Sequence, residues 1–121
     1  MSSLSKTSFQ EMTFLDEMID QVIILDKSRN VCCANKSAFT RFGNDINGKN
    51  ISLILRDAKL LESIDLAINN KKTQIVDIEI KLPNFEFYKA NIIPGPSKLC
   101  NQDQSVMIFL LKILSVFIQE I

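Results

Sequence analysis

Three cysteines and two neighbouring carboxylates are the side chains of this sequence that could do chemistry. Cys32 and Cys33 are adjacent and Cys100 stands far along the chain, a spacing that fits no zinc site. Asp77 and Glu79 are two residues apart, so on a strand they share one face. The chain has no histidine to transfer protons near neutral pH. The pattern favours reduced, buried thiols and solvated carboxylates, and it predicts neither an enzyme nor a metal site.

Composition is typical of one globular domain rather than a disordered chain. The 121 residues are 46% hydrophobic and 23% charged, and 14 basic residues balance 14 acidic ones. The sequence has no cluster of Lys and Arg, so it does not predict nucleic acid as a partner. Residues 1–8 lack the apolar core of a signal peptide, and the longest apolar run, residues 106–118, is too short to cross a bilayer. We therefore expect a cytoplasmic segment without membrane contact.

An amphipathic helix is predicted near the N-terminus. Residues 8–11 fit a capping box, in which the Ser8 hydroxyl and the Glu11 carboxylate each satisfy a backbone amide. Apolar side chains then recur at helical spacing, at Phe9, Met12, Leu15, Ile19 and Val22. A helix of about three turns is marginal alone, so its apolar face must dock on another surface.

Two short strands and a short helix are expected to follow. Residues 21–26 and 31–34 form an antiparallel pair, with Asn30 suited to left-handed backbone in the turn between them. Asn35 then caps a helix over residues 36–42. A ligand-binding role for Asn35 is the alternative, and capping is the favoured interpretation.

The second half of the sequence predicts a longer helix and three strands. Asp57 can cap the helix, which carries an apolar stripe at helical spacing and ends at residues 69–70. Residues 73–82 alternate between apolar and polar side chains, as a strand with one buried face does. Two further strands are expected over residues 85–93 and 105–114, joined by a loop over residues 94–104. All these late connections are hairpin-like, which predicts antiparallel pairing.

The last predicted strand is apolar on both faces. Val106, Ile108 and Leu110 share one face, and the opposite face carries Met107, Phe109 and Leu111. A strand with only one buried face would alternate, so this one needs cover on both sides. The helices can cover the first face. The second face needs the N-terminal helix, a second subunit, or both.

These elements predict an α+β fold in which a five-stranded antiparallel sheet carries short helices on one face, with an N-terminal amphipathic helix beside it. The expected organisation is a tail and amphipathic helix over residues 1–20, one domain over residues 21–114, and an exit segment over residues 115–121.

The order of the elements, together with three residues, resembles the PAS family over residues 9–114. Asn35 matches the Asn that opens the helix after the second strand, and Gly43 matches the Gly that follows this helix. Gly48, before an apolar turn at residues 51–54, matches a loop Gly of the family. Residues 55–70 look like the corresponding helices of PAS domains in sensor histidine kinases of the phosphate-regulon type.

The resemblance implies a regulatory module of a bacterial two-component system, which forms a homodimer and passes a conformational signal to a histidine kinase output. Many members of the family carry an Asp-Ile-Thr-like signature after the last strand. Residues 111–118 of this sequence contain no acidic residue and depart from that pattern. The sequence also has no phosphoacceptor His, so the parent kinase, which can be membrane-bound, would lie beyond this chain. The alternatives are a ligand-free scaffold for protein interaction and, third, a small enzyme.

The sequence also makes predictions about a cofactor and about contact residues. The position of the reactive Cys of flavin-binding light sensors is Ile51 here, and haem with a His ligand is excluded by composition, so we expect no cofactor. A solid core between helices and sheet is favoured, but a small ligand could still occupy a cavity there. The cavity would be lined by Phe39, Leu53, Val76, Ile78 and Ile80. The predicted docking or dimer contact sets Phe9, Met12, Leu15 and Ile19 against Met107, Phe109 and Leu111.

Overall fold

The computed structural model of the chain describes residues 20–81, 85–95 and 105–113. Several expectations therefore lie outside the described residues: the N-terminal helix with Phe9, Met12, Leu15 and Ile19, most of the 94–104 loop, Cys100, and the exit segment over residues 115–121.

The described residues form five strands, two α-helices and one 3₁₀ turn. In chain order these are β1 (Gln21–Asp26), β2 (Val31–Ala34), α1 (Lys36–Phe42), the 3₁₀ turn (Ile51–Leu53), α2 (Ala58–Asn70), β3 (Gln74–Ile80), β4 (Glu86–Pro94) and β5 (Ser105–Ile113). The predicted order of elements is confirmed, and the strand and helix ends differ from the expected ones by at most two residues.

All five strands lie in one sheet with the spatial order β2-β1-β5-β4-β3, and every neighbouring pair is antiparallel. The predicted α+β class with a five-stranded antiparallel sheet is confirmed. β5 is the central strand, which explains why its sequence is apolar on both faces. The edge strands are β2 and β3.

Both helices pack on one face of the sheet, which we call the inner face. Buried side chains of α1 and α2, such as Ala38 and Ile64, form a single core cluster with inner-face side chains of the strands, among them Ile23, Ile78 and Ile108. Side chains at alternate positions of β5 enter this core and leave the intervening positions on the outer face.

The turn between β1 and β2 differs from the expectation. Arg29 adopts the left-handed backbone, with φ 72°, whereas Asn30 is not among the positive-φ residues. The reason is that Asp26 organises the turn, its Oδ1 accepting the amides of Ser28 at 2.9 Å and Asn30 at 3.0 Å. The side chain of Asn30 instead accepts a hydrogen bond from Asn50 Nδ2 at 3.1 Å.

A bulge in β2 also changes which side chains face the core. Ile24 pairs with Cys33 and Leu25 pairs with Val31, so Cys32 is the extra residue. Val31 therefore lies in the inner core, while Cys33 packs on the outer face. Cys32 is disulfide-bonded, which contradicts the expectation of a reduced, buried thiol, and Cys33 is only half-buried.

Candidate functional site

A groove with a volume of about 930 Å³ opens beside the start of α2. One wall is the segment from the 3₁₀ turn to the first turn of α2, residues 53–59. The other wall is the edge strand β3 and the residue after it, residues 77–81, with Phe87 and Ile113 from the neighbouring strands. Such a cleft between a helix and an exposed strand can hold a small molecule or a peptide segment.

The groove has an apolar floor and a rim of mixed charge. Its floor includes Leu55 and Ile78, which belong to the main core. On the rim, Asp57 accepts the amide of Leu60 at 3.1 Å as the cap of α2. Asp77 accepts a hydrogen bond from Lys89 Nζ at 3.0 Å. Because these carboxylates have partners on the protein, the groove suits an amphipathic ligand better than a metal ion.

The five residues predicted to line a cavity do not stay together. Leu53, Ile78 and Ile80 line the groove. Phe39 and Val76 instead pack against the main core, where they help to fill the space between α1, α2 and the sheet. The open groove thus lies at the side of the core, and its charged rim could not be foreseen from the apolar pattern.

The two edge strands differ in whether their outer backbone groups have hydrogen-bond partners. At β2, the loop after α1 supplies backbone partners: Gly48 donates to Val31 O at 2.8 Å, and Val31 donates to Lys49 O at 2.8 Å. Gly48 has φ 86°, which a residue with a side chain adopts at a cost. At β3, no backbone hydrogen bond from the described residues reaches the outer edge. Such an edge can accept an added strand.

The outer face of the sheet divides into a packed half and an exposed half. Beside β1, Val22 and Ile24 are buried against the half-buried Met107 and Phe109 of β5. Towards β4 and β3 the apolar side chains are exposed: Leu111 is 38% exposed, and Ile75 on the edge strand is 62% exposed. The three outer-face residues predicted for docking are therefore adjacent on β5 but differ in exposure.

Asn35 is fully buried and joins the start of β1 to the start of α1. Its Oδ1 accepts the amide of Ala38 at 3.1 Å, the helix cap that the sequence predicts, and also the amide of Val22 at 3.0 Å. Its Nδ2 donates to Asp20 O at 2.9 Å. The side-chain oxygen already accepts two backbone amides, so the arrangement favours a structural role over ligand binding.

Glu86 joins three elements at the same end of the sheet. Arg41, near the end of α1, donates from Nε to Glu86 Oε1 at 2.9 Å, and its Nη2 forms an ion pair with the same oxygen at 2.9 Å. Tyr88 OH donates to the same oxygen at 3.0 Å, and Lys112 Nζ donates to Oε2 at 3.2 Å. The carboxylate therefore connects α1, β4 and the end of β5. We call Arg41, Glu86, Tyr88 and Lys112 the Glu86 cluster.

The cluster shifts the pKa of two groups. Burial acts to raise the pKa of the Glu86 carboxyl, but hydrogen bonds from Tyr88, Lys112 and Arg41 outweigh it and hold the pKa below the ordinary 4.5. Burial raises the pKa of Tyr88 above the ordinary 10.0; the hydrogen bond and charge of Glu86 add to this increase, and Arg41 opposes it. Glu86 is thus anionic and Tyr88 neutral near neutral pH.

Sequence reasoning missed this cluster. One signal was present, because the alternation of β5 puts Lys112 on the same side as the core residues Ile108 and Leu110. A lysine at such a position indicates that an acidic side chain can lie at this end of the core face. The identity of that carboxylate depends on the register of β4 against β5, in which Tyr88 pairs with Lys112.

Of the residues first considered for chemistry, Asp77 and Glu79 both border the groove, whereas Cys32 and Cys33 lie on β2. Asp77 is paired with Lys89 on the outer face of the sheet, and Glu79 is exposed. Ile51, at the position of the reactive Cys in flavin photosensors, is buried in the core. Within the described ranges, no three potential metal ligands form a group. The two described helices are both too short or too polar to cross a bilayer.

Comparison of the fold with solved structures gives close matches of low sequence identity. The PAS domain of BvgS from Bordetella pertussis matches with a TM-score of 0.68 at 14% identity, covering 96% of this chain and 93% of that one. A sensory box sensor histidine kinase from Vibrio cholerae matches with a TM-score of 0.62 at 17% identity, covering 93% and 97%. VqmA from Vibrio cholerae, described as a dimer, matches with a TM-score of 0.74 at 11% identity, covering 89% and 52%.

Models of known protein families gave no match, and neither did curated protein sequences. The structural likeness extends over nearly the whole of this chain and of two of the three proteins compared. The sheet, the helices on its inner face and the positions of Asn35 and Gly43 agree with the resemblance found in the sequence. The chain has the fold of a PAS domain, like the PAS domains of sensor histidine kinases.

Proposed function

We propose that this chain is the sensory module of a bacterial two-component signalling protein. The observation that supports this most is the PAS fold, shared with a sensor histidine kinase over 93% of this chain and 97% of the other. The module would sit in the cytoplasm, carry no catalytic group of its own, and act on a histidine kinase output. Fold alone does not fix function, so the proposal rests on the groove as well.

The groove is the proposed place for the signal. A small amphipathic ligand between residues 53–59 and β3 would contact the apolar floor and the charged rim together. If it bound one packing of the start of α2 against β3 more tightly than another, it would shift the population of the two. No metal, haem or flavin is needed for this mechanism.

The outer face is the proposed dimer seam. Met107, Phe109 and Leu111 on β5, with Phe9, Met12, Leu15 and Ile19 of the predicted N-terminal helix, would form the contact. Leu111 supports this choice because it remains 38% exposed on the central strand.

The sensory role is tested by fusing residues 1–121 to the catalytic core of a histidine kinase and measuring autophosphorylation. Leu53→Trp places a large side chain in the groove, and Leu53 is exposed enough to accept it. We expect this variant to change the autophosphorylation rate several-fold. Leu66→Trp is the matched control, since Leu66 is an exposed leucine of α2 outside the groove. Equal rates for the parent fusion and both variants would contradict the proposal.

The dimer is tested by native mass spectrometry of the chain. We expect a dimer that Leu111→Asp and Leu15→Asp dissociate. Ile75→Asp is the matched control, because it also puts a charge on an exposed apolar site of the outer face. Since Ile75 lies on the edge strand, away from the seam, this variant should leave the dimer intact. A monomeric parent chain, or dissociation by Ile75→Asp alone, would overturn this seam. Additional mass that is lost on denaturation would identify a bound ligand.

A second candidate is a ligand-free scaffold for protein interaction. The edge of β3 favours it, since no backbone hydrogen bond from the described residues occupies that edge and Ile75 is exposed beside it. An extended segment of a partner could add to this edge as a sixth strand. A bare dimer in the mass spectrum, with no effect of Leu53→Trp on the fused kinase, would favour this candidate over the first.

A further inference from the structure

Helix α1 lies across the end of the sheet at which β1 begins and β5 ends. The register pairs Gln21 with Leu110, and it pairs Tyr88 with Lys112. The start of β1, the end of β5 and the start of β4 are therefore side by side. Two strand spacings amount to about 10 Å. A helix of seven residues is also about 10 Å long, so α1 can reach from β1 to β4.

The N-terminal end of α1 is fixed to β1 by Asn35. Besides its side-chain bonds to Val22 and Asp20, the backbone amide of Asn35 donates to Val22 O at 3.0 Å. Asn35 and Val22 are both fully buried. Water cannot compete readily for these bonds, so this end serves as a permanent attachment.

The C-terminal end of α1 is fixed to β4 and β5 by the Glu86 cluster. The side chain of Glu86 is 21% exposed, and that of Lys112 is 53% exposed. Arg41 also lies over the ring of Phe42, 5.3 Å from its centroid, which holds the guanidinium in place. Phe39 and Phe42 also pack this end against the main core. Ionic contacts with partial exposure are weakened by salt and by competing ligands, so they are the part of the attachment that can be loosened.

We propose that α1 is a clamp across the end of the sheet, hinged at Asn35 and latched at Glu86, so that opening the latch loosens the end of β5. This gives the proposed sensory function a route to its output, and in that sense it rests on that function. The physical coupling itself does not require a kinase or a signal.

The test is amide hydrogen exchange of the full chain, resolved at single residues by NMR. Arg41→Gln removes the latch from the helix, and Lys112→Gln removes it from β5. The structure shows no bond between Arg41 and Lys112 themselves; they meet at Glu86. We expect each variant to speed exchange by roughly five- to tenfold at two places. One is the Gly43 amide that closes α1, and the other is residues 110–113. The Val22 amide, at the hinge, should keep its protection.

Asp77→Asn is the matched control, because it breaks an ion pair of similar length, 3.0 Å, elsewhere on the sheet. It should change neither Gly43 nor residues 110–113. The proposal is overturned if Arg41→Gln affects only α1 and Lys112→Gln affects only β5, or if Val22 loses protection together with the rest.

A measurement on the unmodified chain guards against variants that fail to fold. Raising the salt concentration should screen the latch and speed exchange at Gly43 and at residues 110–113 together, with Val22 unchanged. Salt-independent exchange at both places would overturn the proposal. Because neither experiment includes a kinase, the clamp can fail while the sensory function stands, and the reverse also holds.

Discussion

The two ends of α1 are held by different chemistry. At the start, the buried amide of Asn35 bonds to backbone groups of its neighbours in the fold. At the end, the partly exposed carboxylate of Glu86 accepts hydrogen bonds from Arg41 of α1, Lys112 of β5 and the Tyr88 hydroxyl of its own strand. The first anchor is neutral and shielded from water. The second is ionic and reaches the solvent, so salt and pH act on it.

We expect the two anchors to have different roles. Leaving buried backbone groups without partners costs far more than weakening a partly exposed ion pair. Asn35 should therefore set stability, while Glu86 should set how tightly the end of β5 is held.

Asn35→Ala should give the largest effect. It removes the cap of α1 and leaves the buried Val22 amide and the Asp20 carbonyl without their partner. We expect the free energy of unfolding, measured with urea, to fall by about 3 kcal/mol. The control is Asn47→Ala, at an exposed loop position, where the change should stay within about 0.5 kcal/mol. Equal losses in the two variants would remove the distinction drawn for Asn35.

Glu86→Gln should cost less. The substitution keeps the shape of the side chain but removes the charge shared by Arg41 and Lys112. Because the site is partly exposed, we expect a loss of about 1 kcal/mol in the free energy of unfolding at low salt. Asp77→Asn, at a more exposed pair, should lose less than about 0.5 kcal/mol. A loss for Glu86→Gln as large as that for Asn35→Ala would show that both anchors set stability.

The contribution of Glu86 should depend on acid pH. A carboxyl whose pKa is lowered by folding stabilises the native state above its unfolded pKa, and this contribution disappears as the pH falls through the folded pKa. The difference in free energy of unfolding between the parent chain and Glu86→Gln should therefore be complete above pH 4.5 and shrink below it. Subtracting the two profiles cancels the other carboxyls. A difference that stays constant down to the lowest measurable pH would refute the role of charge.

The smallest effect concerns Tyr88, which is a convenient reporter because the chain has one tyrosine and no tryptophan. Ultraviolet absorbance of tyrosinate should show that its pKa lies above 10.0 in the folded chain. Glu86→Gln removes a nearby anion and should lower this pKa, whereas Arg41→Gln removes a cation and should raise it. An unchanged pKa in both variants would mean that burial alone controls the group.

Local features of the fold could be predicted from residues close together in the sequence. The caps at Asn35 and Asp57 need a side chain and an amide three residues apart, so short motifs contain all the information. The same holds for Gly43, whose φ of 115° is strained for a residue with a side chain. The prediction of left-handed backbone at Asn30 was wrong because Asn30 has other partners. Its amide bonds to Asp26, and its side chain bonds to Asn50, which lies twenty residues away.

The candidate site could be predicted only in part. Alternation in residues 73–82 correctly placed Ile78 towards the helices, but it could not tell a filled core from a groove at its side. That distinction depends on how far the segment over residues 53–59 lies from β3. The bulge at Cys32 was likewise invisible, since it arises from the pairing of β2 with β1.

By itself, the sequence determined the kinds of elements, their order, their caps and the two apolar faces of β5, because periodicity and capping act over a few residues. Tertiary structure decided which strand edge is closed, where the groove opens and that Glu86 joins Arg41 to Lys112. These contacts join residues 45 and 26 positions apart. They exist only once the register of β4 and β5 and the crossing of α1 have brought the three side chains to one point.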